Sequence, residues 1–220
     1  MNAAVFTLTR DRLEYTQHCF ARLTENAGCE YDHYVLDQGS TDGTPDWLMG
    51  QKLRHVSLLD ENVGINAGMN QLLEAAIPRG YDVIVKMDND CELREPGTVR
   101  VCAELALEGN AILSPRILGL QNTPAAQGHF QIGDELIIDI PQIGGIFMAV
   151  PASLFDGFRY DERRLLFDDV DLCWWFRRER GGRCGYVSSL EAWHYETTDG
   201  QRARYPTYFA RKMKEYAEQR

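Results

Sequence analysis

Three acidic clusters and one late histidine have the types and spacing to do chemistry. Asp88-Asn89-Asp90 directly follows the apolar run Val83 to Met87. Two carboxylates two residues apart, just past a strand end, can turn toward one point. Hard divalent cations take several oxygen ligands, and Mg²⁺ or Mn²⁺ bridging a diphosphate would use such a pair. A solvated acidic turn is the competing account, because Asp and Asn are common turn residues. Asp37-Gln38-Gly39-Ser40-Thr41-Asp42-Gly43-Thr44 follows a second apolar run in the same way. A carboxylate there can accept the ring N–H of uracil, thymine or guanine, whereas cytosine presents an acceptor and is repelled. The plain alternative is a turn leading into a helix.

Phe167-Asp168-Asp169-Val170-Asp171-Leu172-Cys173-Trp174 places acids where a helix should begin. The helix dipole stabilises acids there, so capping alone could account for them. Inside a cleft, adjacent carboxylates would crowd each other and raise a pKa, which suits a base working near neutrality. Asn62-Val63-Gly64-Ile65-Asn66-Ala67-Gly68-Met69-Asn70 opens a helix with small residues. These let a backbone approach a phosphate or ribose at the helix N-terminus, or simply let the helix pack tightly on a sheet. The segment is not a G-x-G-x-x-G fingerprint, and no G-K-[ST] cradles a triphosphate. His194 lies between Trp193 and Tyr195, a setting in which histidine is often structural.

The elements that must position these groups alternate. Val5 to Thr9 reads as a strand, and Leu13, Thr16, Phe20, Leu23 and Ala27 recur at helical spacing. Strands are expected at Tyr34 to Leu36, His55 to Leu59, Tyr81 to Met87 and Ile112 to Leu113. Between them lie helices beginning at Thr44-Pro45 (read as N-cap and first-turn proline), at Ile65 to Ala76 and at Val99 to Leu107. Such alternation with short connections is the pattern of a mostly parallel sheet covered on both faces. Pro115 to Gly133, rich in Gly, Pro, Asn and Gln, reads as a mobile loop. Strand-like pieces follow at Leu136 to Ile140, Ile146 to Val150 and Tyr186 to Val187, with helices from near Asp169 and over Tyr205 to Glu218. Ligands of such sheets bind at the carboxyl ends of the strands, where every cluster above falls.

The bulk properties narrow the function. The 220 residues suit one domain, and 44% hydrophobic with 25% charged residues is ordinary for a globular chain. A net charge of −10 disfavours a nucleic-acid partner, which requires a positive surface. Asp60 to Glu95 holds eight acids against three bases, whereas Gln201 to Arg220 holds six bases against two acids. The basic tail, with Arg202, Arg204, Arg211, Lys212 and Lys214 among Tyr205, Tyr208, Phe209 and Tyr216, could meet an anionic acceptor or a membrane surface peripherally. A helix that packs its aromatic face is the simpler account. The six cysteines show no C-x-x-C pair or zinc spacing and read as reduced thiols. No apolar stretch is long enough to span a membrane, and Arg10, Asp11 and Arg12 come too early for an export signal, so the expected location is cytoplasmic.

Taken in order, strand-T-x-T-R, D-x-G-S-x-D-x-T, N-x-G-x-x-x-G-x-N, D-x-D, Gly144-Gly145, D-D-x-D-L-C and a late histidine resemble the family 2 glycosyltransferases of the GT-A fold. The resemblance covers about residues 3 to 196 and is closest to the rhamnosyltransferase-like branch. It implies a single α/β domain with a mostly parallel central sheet, flanked by helices, and a Rossmann-like nucleotide-binding half. Residues 1–115 would bind the nucleotide sugar, 116–200 the acceptor, and 201–220 would form a basic helix.

By the same resemblance Thr7, Thr9 and Arg10 mark the base-proximal end of the first strand, Asp37 reads the base, and Asn62 and Gly64 lie on the ribose side. Asp88 is similar to the ribose/diphosphate carboxylate, Asp90 to the ligand of Mn²⁺ or Mg²⁺, and His194 to a second metal ligand. Gly144 and Gly145 resemble the floor beneath the sugar, and Asp169 the general base with Asp168 beside it. Three residues depart from the family pattern: Gln38 stands where Asn or Asp is common, Asp168 where Glu is usual, and Trp175 where Arg is frequent. The expected activity is inverting, metal-dependent transfer from a UDP-, dTDP- or GDP-sugar to a glycan, lipid-linked or other hydroxyl acceptor. A sugar nucleotidyltransferase would need a glycine-rich loop in place of Thr9-Arg10-Asp11-Arg12-Leu13, and a non-catalytic binding module would be expected to have lost acids that are all present here.

Overall fold

A computed structural model describes residues 1–120, 124–164, 168–195, 203 and 206–218. The N-terminal half alternates as its periodicity predicts: β1 (Ala3–Thr9), α1 (Leu13–Asn26), β2 (Tyr31–Gln38), α2 (Thr44–Met49), β3 (His55–Leu59), α3 (Ile65–Ala76) and β4 (Val83–Met87). Short β5 (Cys91–Leu93) and α4 (Thr98–Gly109) follow, then β6 (Ala111–Leu118), β7 (Gly128–Ile132), β8 (Glu135–Asp139) and β9 (Phe147–Pro151). The chain continues through α5 (Asp168–Arg180), β10 (Arg183–His194) and α6 (Pro206–Glu218).

All ten strands form one sheet in the order β3-β2-β1-β4-β9-β6-β10-β8-β7, with β5 pairing β10. The β3-β2-β1-β4 portion is parallel, while β9 runs antiparallel to both β4 and β6. That reversal matters for the site. It brings the residues entering β9 to the carboxyl end of β4, where the Asp88 N–H donates to the Ile146 carbonyl at 2.8 Å.

Successive strand side chains point to opposite faces, so β4 is buried on both. Val83, Val85 and Met87 join one core with Leu23, Val99, Cys102 and Phe147. Ile84 joins the other with Phe6, Leu36, Met69, Leu72, Met148, Leu172 and Phe176. Each fully buried Leu or Phe is worth roughly 1.5–3 kcal/mol. The alternation also sets Lys86 on the same face as Ile84, toward α5.

Gly68 in α3 is the tight packing contact: a Cβ there would sit 3.1 Å from Leu8 Cδ2. Asn66 and Asn70 on the same helix hold the segment before α5, donating to the Asp161 carbonyl and the Tyr160 carbonyl, each at 2.9 Å. The N-x-G-x-x-x-G-x-N motif therefore does structural work along much of its length.

The structure corrects several sequence expectations. Pro115 to Gly133 is not a single loop, because β6 runs on to Leu118 and β7 begins at Gly128. Pro115 fits within β6, opposite Val187 of β10. The Tyr186 to Val187 piece is part of a twelve-residue strand whose alternation is masked by a register shift between Val187 and Glu191. Thr44 is not the N-cap of α2. It is the first helical residue, and its N–H donates to Asp42 Oδ1 at 2.9 Å, one residue's shift in where the cap falls. Phe167, Arg202, Arg204 and Tyr205, and the side chains of Tyr208, Lys212 and Tyr216, lie outside the described residues. No helix among the described residues is long and apolar enough to cross a membrane.

Candidate active site

Parallel pairing of β1 with β2 places Thr9 opposite Asp37 at the strand ends. The Thr9 hydroxyl donates to Asp37 Oδ1 at 2.7 Å, and Ser40 donates through its N–H to Oδ2 at 2.9 Å and through its hydroxyl to Oδ1 at 2.5 Å. Asp37 is thus buried and oriented by three donors, and a carboxylate has room for about four. Asp11 at positive φ (53°) ties the next loop in, its N–H donating to Ser40 Oγ at 2.6 Å. Arg10 donates to the Gln38 carbonyl at 3.3 Å. Thr7 lies one pleat back, its hydroxyl paired with His33 Nε2 at 3.0 Å, away from Asp37. Asn62 Oδ1 accepts the Gly64 N–H at 2.8 Å at the entrance of α3.

The D-x-D segment turns directly after β4, and β5 then pairs antiparallel with β10, setting Cys91 opposite His194. This pairing joins residues about a hundred positions apart. His194 Nε2 comes to 3.3 Å from Asp90 Oδ2. The same oxygen accepts from Arg12 Nη1 at 2.6 Å. Arg12 reaches it from a left-handed backbone conformation (φ 62°) that directly follows Asp11 in the same region. Two consecutive non-glycine residues at positive φ are uncommon, and such strain persists where the surroundings enforce it. Burial works against ionising Asp90, but His194 and Arg12 outweigh it and hold the carboxyl at about 2. Burial would likewise lower His194, yet the hydrogen bond and charge of Asp90 raise it above its ordinary value. Asp88 is raised by burial, offset in part by Lys86.

A divalent ion fits here in ligand type. Asp90 Oδ2 and His194 Nε2 converge, and among the described residues the buried His194 Nδ1 has no hydrogen-bond partner. Among the described residues no group of three His, Cys, Asp or Glu could hold a metal. The chain would supply two ligands and substrate oxygens the rest, the usual mode for Mg²⁺ with phosphates.

The second cluster is built around a group the sequence reading passed over. Lys86 is buried, and its ammonium lies 3.2 Å from Asp88 Oδ1 and 3.0 Å from Asp168 Oδ2, and donates to the Gly145 carbonyl. Burial would lower its pKa, but Asp168 and Asp88 raise it well above the ordinary value, so the lysine stays charged. A Cβ on Gly145 would fall 2.7 Å from Lys86 Nζ and 3.2 Å from Asp168 Oδ2, so the cluster fits only against glycine. Gly144, in contrast, has nothing within 4 Å of such a Cβ and faces open space.

Helix α5 begins with Asp168, Asp169 and Asp171 and ends with Arg177, Arg178 and Arg180, both favourable to its dipole. Its three leading acids have different partners. Asp168 is buried against Lys86, and Asp171 pairs with Arg164 at 2.7 Å. Asp169 accepts only two backbone N–H groups among the described residues, Gly145 at 3.0 Å and Val170 at 2.8 Å. Burial and the charge of Asp168 push Asp169 up to about 6, against the lowering pull of Lys86.

The structure therefore brings together Thr9 with Asp37, Asp90 with His194, and Asp88, Asp168, Asp169 and Gly145 around Lys86. Arg12 and Lys86 are the additions. A lone lysine inside an apolar strand was a readable signal for one of them. Nothing in the sequence signalled the left-handed turn that aims the other.

The description "Glycosyl transferase family 2" matches residues 4–179. No curated protein matches the chain by sequence. Among solved structures it is similar to S. aureus TarS 1-349 in complex with UDP-GlcNAc (TM-score 0.65, 18% identity, 89% of this chain and 59% of that one). It is also similar to GalNAc-T7 with UDP, GalNAc and Mn²⁺ (TM-score 0.72, 12% identity, 91% and 45%). A third is the mannosyltransferase PcManGT from Pyrobaculum calidifontis with GDP-Man and Mn²⁺ (TM-score 0.68, 15% identity, 92% and 59%). The chain thus spans 37% of the S. aureus TarS chain and between 45% and 59% of these three structures. The family match over most of the chain and the shared fold agree: the chain belongs to glycosyl transferase family 2.

Proposed function

We propose that the domain transfers a sugar from a nucleoside-diphosphate donor to an acceptor hydroxyl in one in-line displacement that inverts the anomeric centre. One arrangement carries this reading: two neighbouring clusters, linked through Asp88 and Lys86, hold Asp90 against Arg12 and His194 but leave Asp169 with backbone N–H groups. This drives the first carboxyl down to about 2 and the second up to about 6. Separation of this kind assigns complementary roles to like groups. Asp90, always ionised, suits a cation. Asp169 can take up a proton near neutrality, as a general base must.

Asp169 accepts the acceptor hydroxyl's proton as that oxygen attacks the anomeric carbon, and the bond from that carbon to the diphosphate breaks. A divalent ion held by Asp90 and His194 would supply charge to neutralise the departing diphosphate. Asp37 uses its remaining acceptor capacity for a base N–H, which favours UDP, dTDP or GDP. Thr9 and Arg10 border that subsite, Asn62 and Gly64 the ribose, Asp88 the diphosphate side, and Gly144 the open floor under the sugar. The motif order is closest to the rhamnosyltransferase-like branch, and the sugar transferred is a hexose or deoxyhexose. Residues 1–115 form the donor half, 116–200 the acceptor half. In α6, Arg211, Met213 and Lys214 are exposed, which supports peripheral contact with an anionic membrane at the cytoplasmic face. Sedimentation with anionic vesicles, but not with neutral ones, is the expected result.

The reading is tested by screening UDP-, dTDP- and GDP-sugars by thermal shift, with Mn²⁺ and with EDTA. One donor should stabilise the protein in a metal-dependent way. No stabilisation by any of them would remove the donor assignment.

A further inference from the structure

We propose that Lys86 is a positioning residue that decides which of the two adjacent acids takes the proton: by sequestering Asp168 in a buried ion pair, it leaves Asp169 as the acceptor. The inference rests on the reading of Asp169 as the base and adds the residue that selects it.

The geometry makes the case. The Lys86 ammonium donates to the Gly145 carbonyl and forms ion pairs with Asp88 Oδ1 at 3.2 Å and Asp168 Oδ2 at 3.0 Å. Lys86 is 5% exposed and Asp168 4%, so the pair is shielded from water. A buried carboxylate is costly unless paired. The pair engages Asp168, and the charge of Asp168 raises Asp169, the next residue along α5. Asp169 lies on the same helix turn but has no cation of its own among the described residues, only the Gly145 and Val170 N–H groups. Gly145 completes the device. Its carbonyl is held by Lys86 and its N–H by Asp169, so one residue fixes the lysine and the base relative to each other.

The other titratable neighbours are Tyr160, Tyr186, Cys173, Asp171 and Asp88, the last two also raised by burial. Tyr160, in the segment before α5, and Tyr186, in β10, are both raised by burial, the latter to about 12. Cys173 in α5 is raised by its hydrogen bond with Cys184 and by burial. Asp171 is engaged by Arg164. Asp88 shares Lys86 but lies on the β4 side of it. Without Lys86, the more deeply buried Asp168 would be a carboxylate without a counter-ion and would become the one to hold the proton.

Carbon-13 carboxyl NMR of the ligand-free full chain, titrated between about pH 4 and 8, reads this without any sugar transfer. The Asp169 and Asp168 resonances are assigned by their loss in Asp169→Asn and Asp168→Asn. In wild type the step near pH 6 should belong to Asp169. In Lys86→Met the proton taken up in that window should go to Asp168, leaving the Asp169 resonance flat, and Lys86→Arg should return the step to Asp169. If Lys86→Met does not fold, Asp168→Asn decides. Removing the Asp168 charge should move the Asp169 step down by about one unit or more. An Asp169 step unchanged in Lys86→Met or in Asp168→Asn, or a wild-type step on Asp168, overturns the proposal. Because no donor or acceptor is present, this result can fail while the base assignment, tested by Asp169→Asn kinetics, stands, and the reverse also holds.

Discussion

Asp90 and Asp169 are the same residue type in two neighbouring clusters, and their surroundings treat them oppositely. Asp90 receives a guanidinium, Arg12 at 2.6 Å, and an imidazole, His194 at 3.3 Å. In the other cluster one cation, Lys86, is divided between Asp88 and Asp168, and Asp169 receives backbone N–H groups alone. A hydrogen bond from His194 and the Arg12 charge, both serving one carboxyl, hold the first in its ionised form. A shortage of such partners leaves the second able to bind a proton near neutrality. The ratio of cations to carboxylates, rather than burial, separates them, since burial opposes ionisation at both.

Changes at each cluster test that contrast. The largest effect is expected at the first: Asp90→Asn leaves Arg12 and His194 facing each other without their shared anion. Calorimetry should show Mn²⁺-dependent nucleoside-diphosphate binding lost, and binding unchanged from wild type would break the metal assignment. Next comes the base subsite, which belongs to neither cluster. A charge-assisted bond from Asp37 is worth about 1.5–3 kcal/mol, so Asp37→Ala should weaken uracil, thymine or guanine nucleotides by roughly ten- to a hundredfold. Equal affinity in the mutant would move base reading elsewhere.

The smallest effect is structural and sharpens the second cluster. Gly145→Ala drives a methyl group against Lys86 Nζ and Asp168. Overpacking costs about 1–3 kcal/mol, visible as a melting temperature lowered by a few degrees. A melting temperature equal to wild type would show that the lysine is not held against Gly145.

What the sequence revealed follows the range of the interactions. The strands and helices of the N-terminal half were legible because each carries its own periodicity, and Asp37, Asp88 and Asp90 fall at or just past the ends of β2 and β4. Asp168 and Asp169 were readable at a helix start because the dipole favours acids there. The partners were harder to read. Cys91–Leu93 is too short to show a pattern, yet its pairing with β10 is what carries His194 to Asp90. Pro115 to Gly133 has a loop's composition, and its flanks became strands only because β8 and β10 supply edges to pair with. Lys86 could have been noticed as a single cation in Val83–Met87. Its three partners, though, come from the turn after β4, the entrance to β9 and the start of α5, which meet only in the folded sheet.

The most direct test of the account is steady-state transfer by wild type and Asp169→Asn, with donor, Mn²⁺ and a competent acceptor, followed across pH. Because the base must be ionised, wild-type kcat should rise with pH through about 6. Asp169→Asn should retain donor affinity and KM yet lose at least about a hundredfold in kcat, the minimum contribution of a well-placed base. A mutant that keeps more than about a tenth of wild-type kcat contradicts the assignment of Asp169 as the proton acceptor.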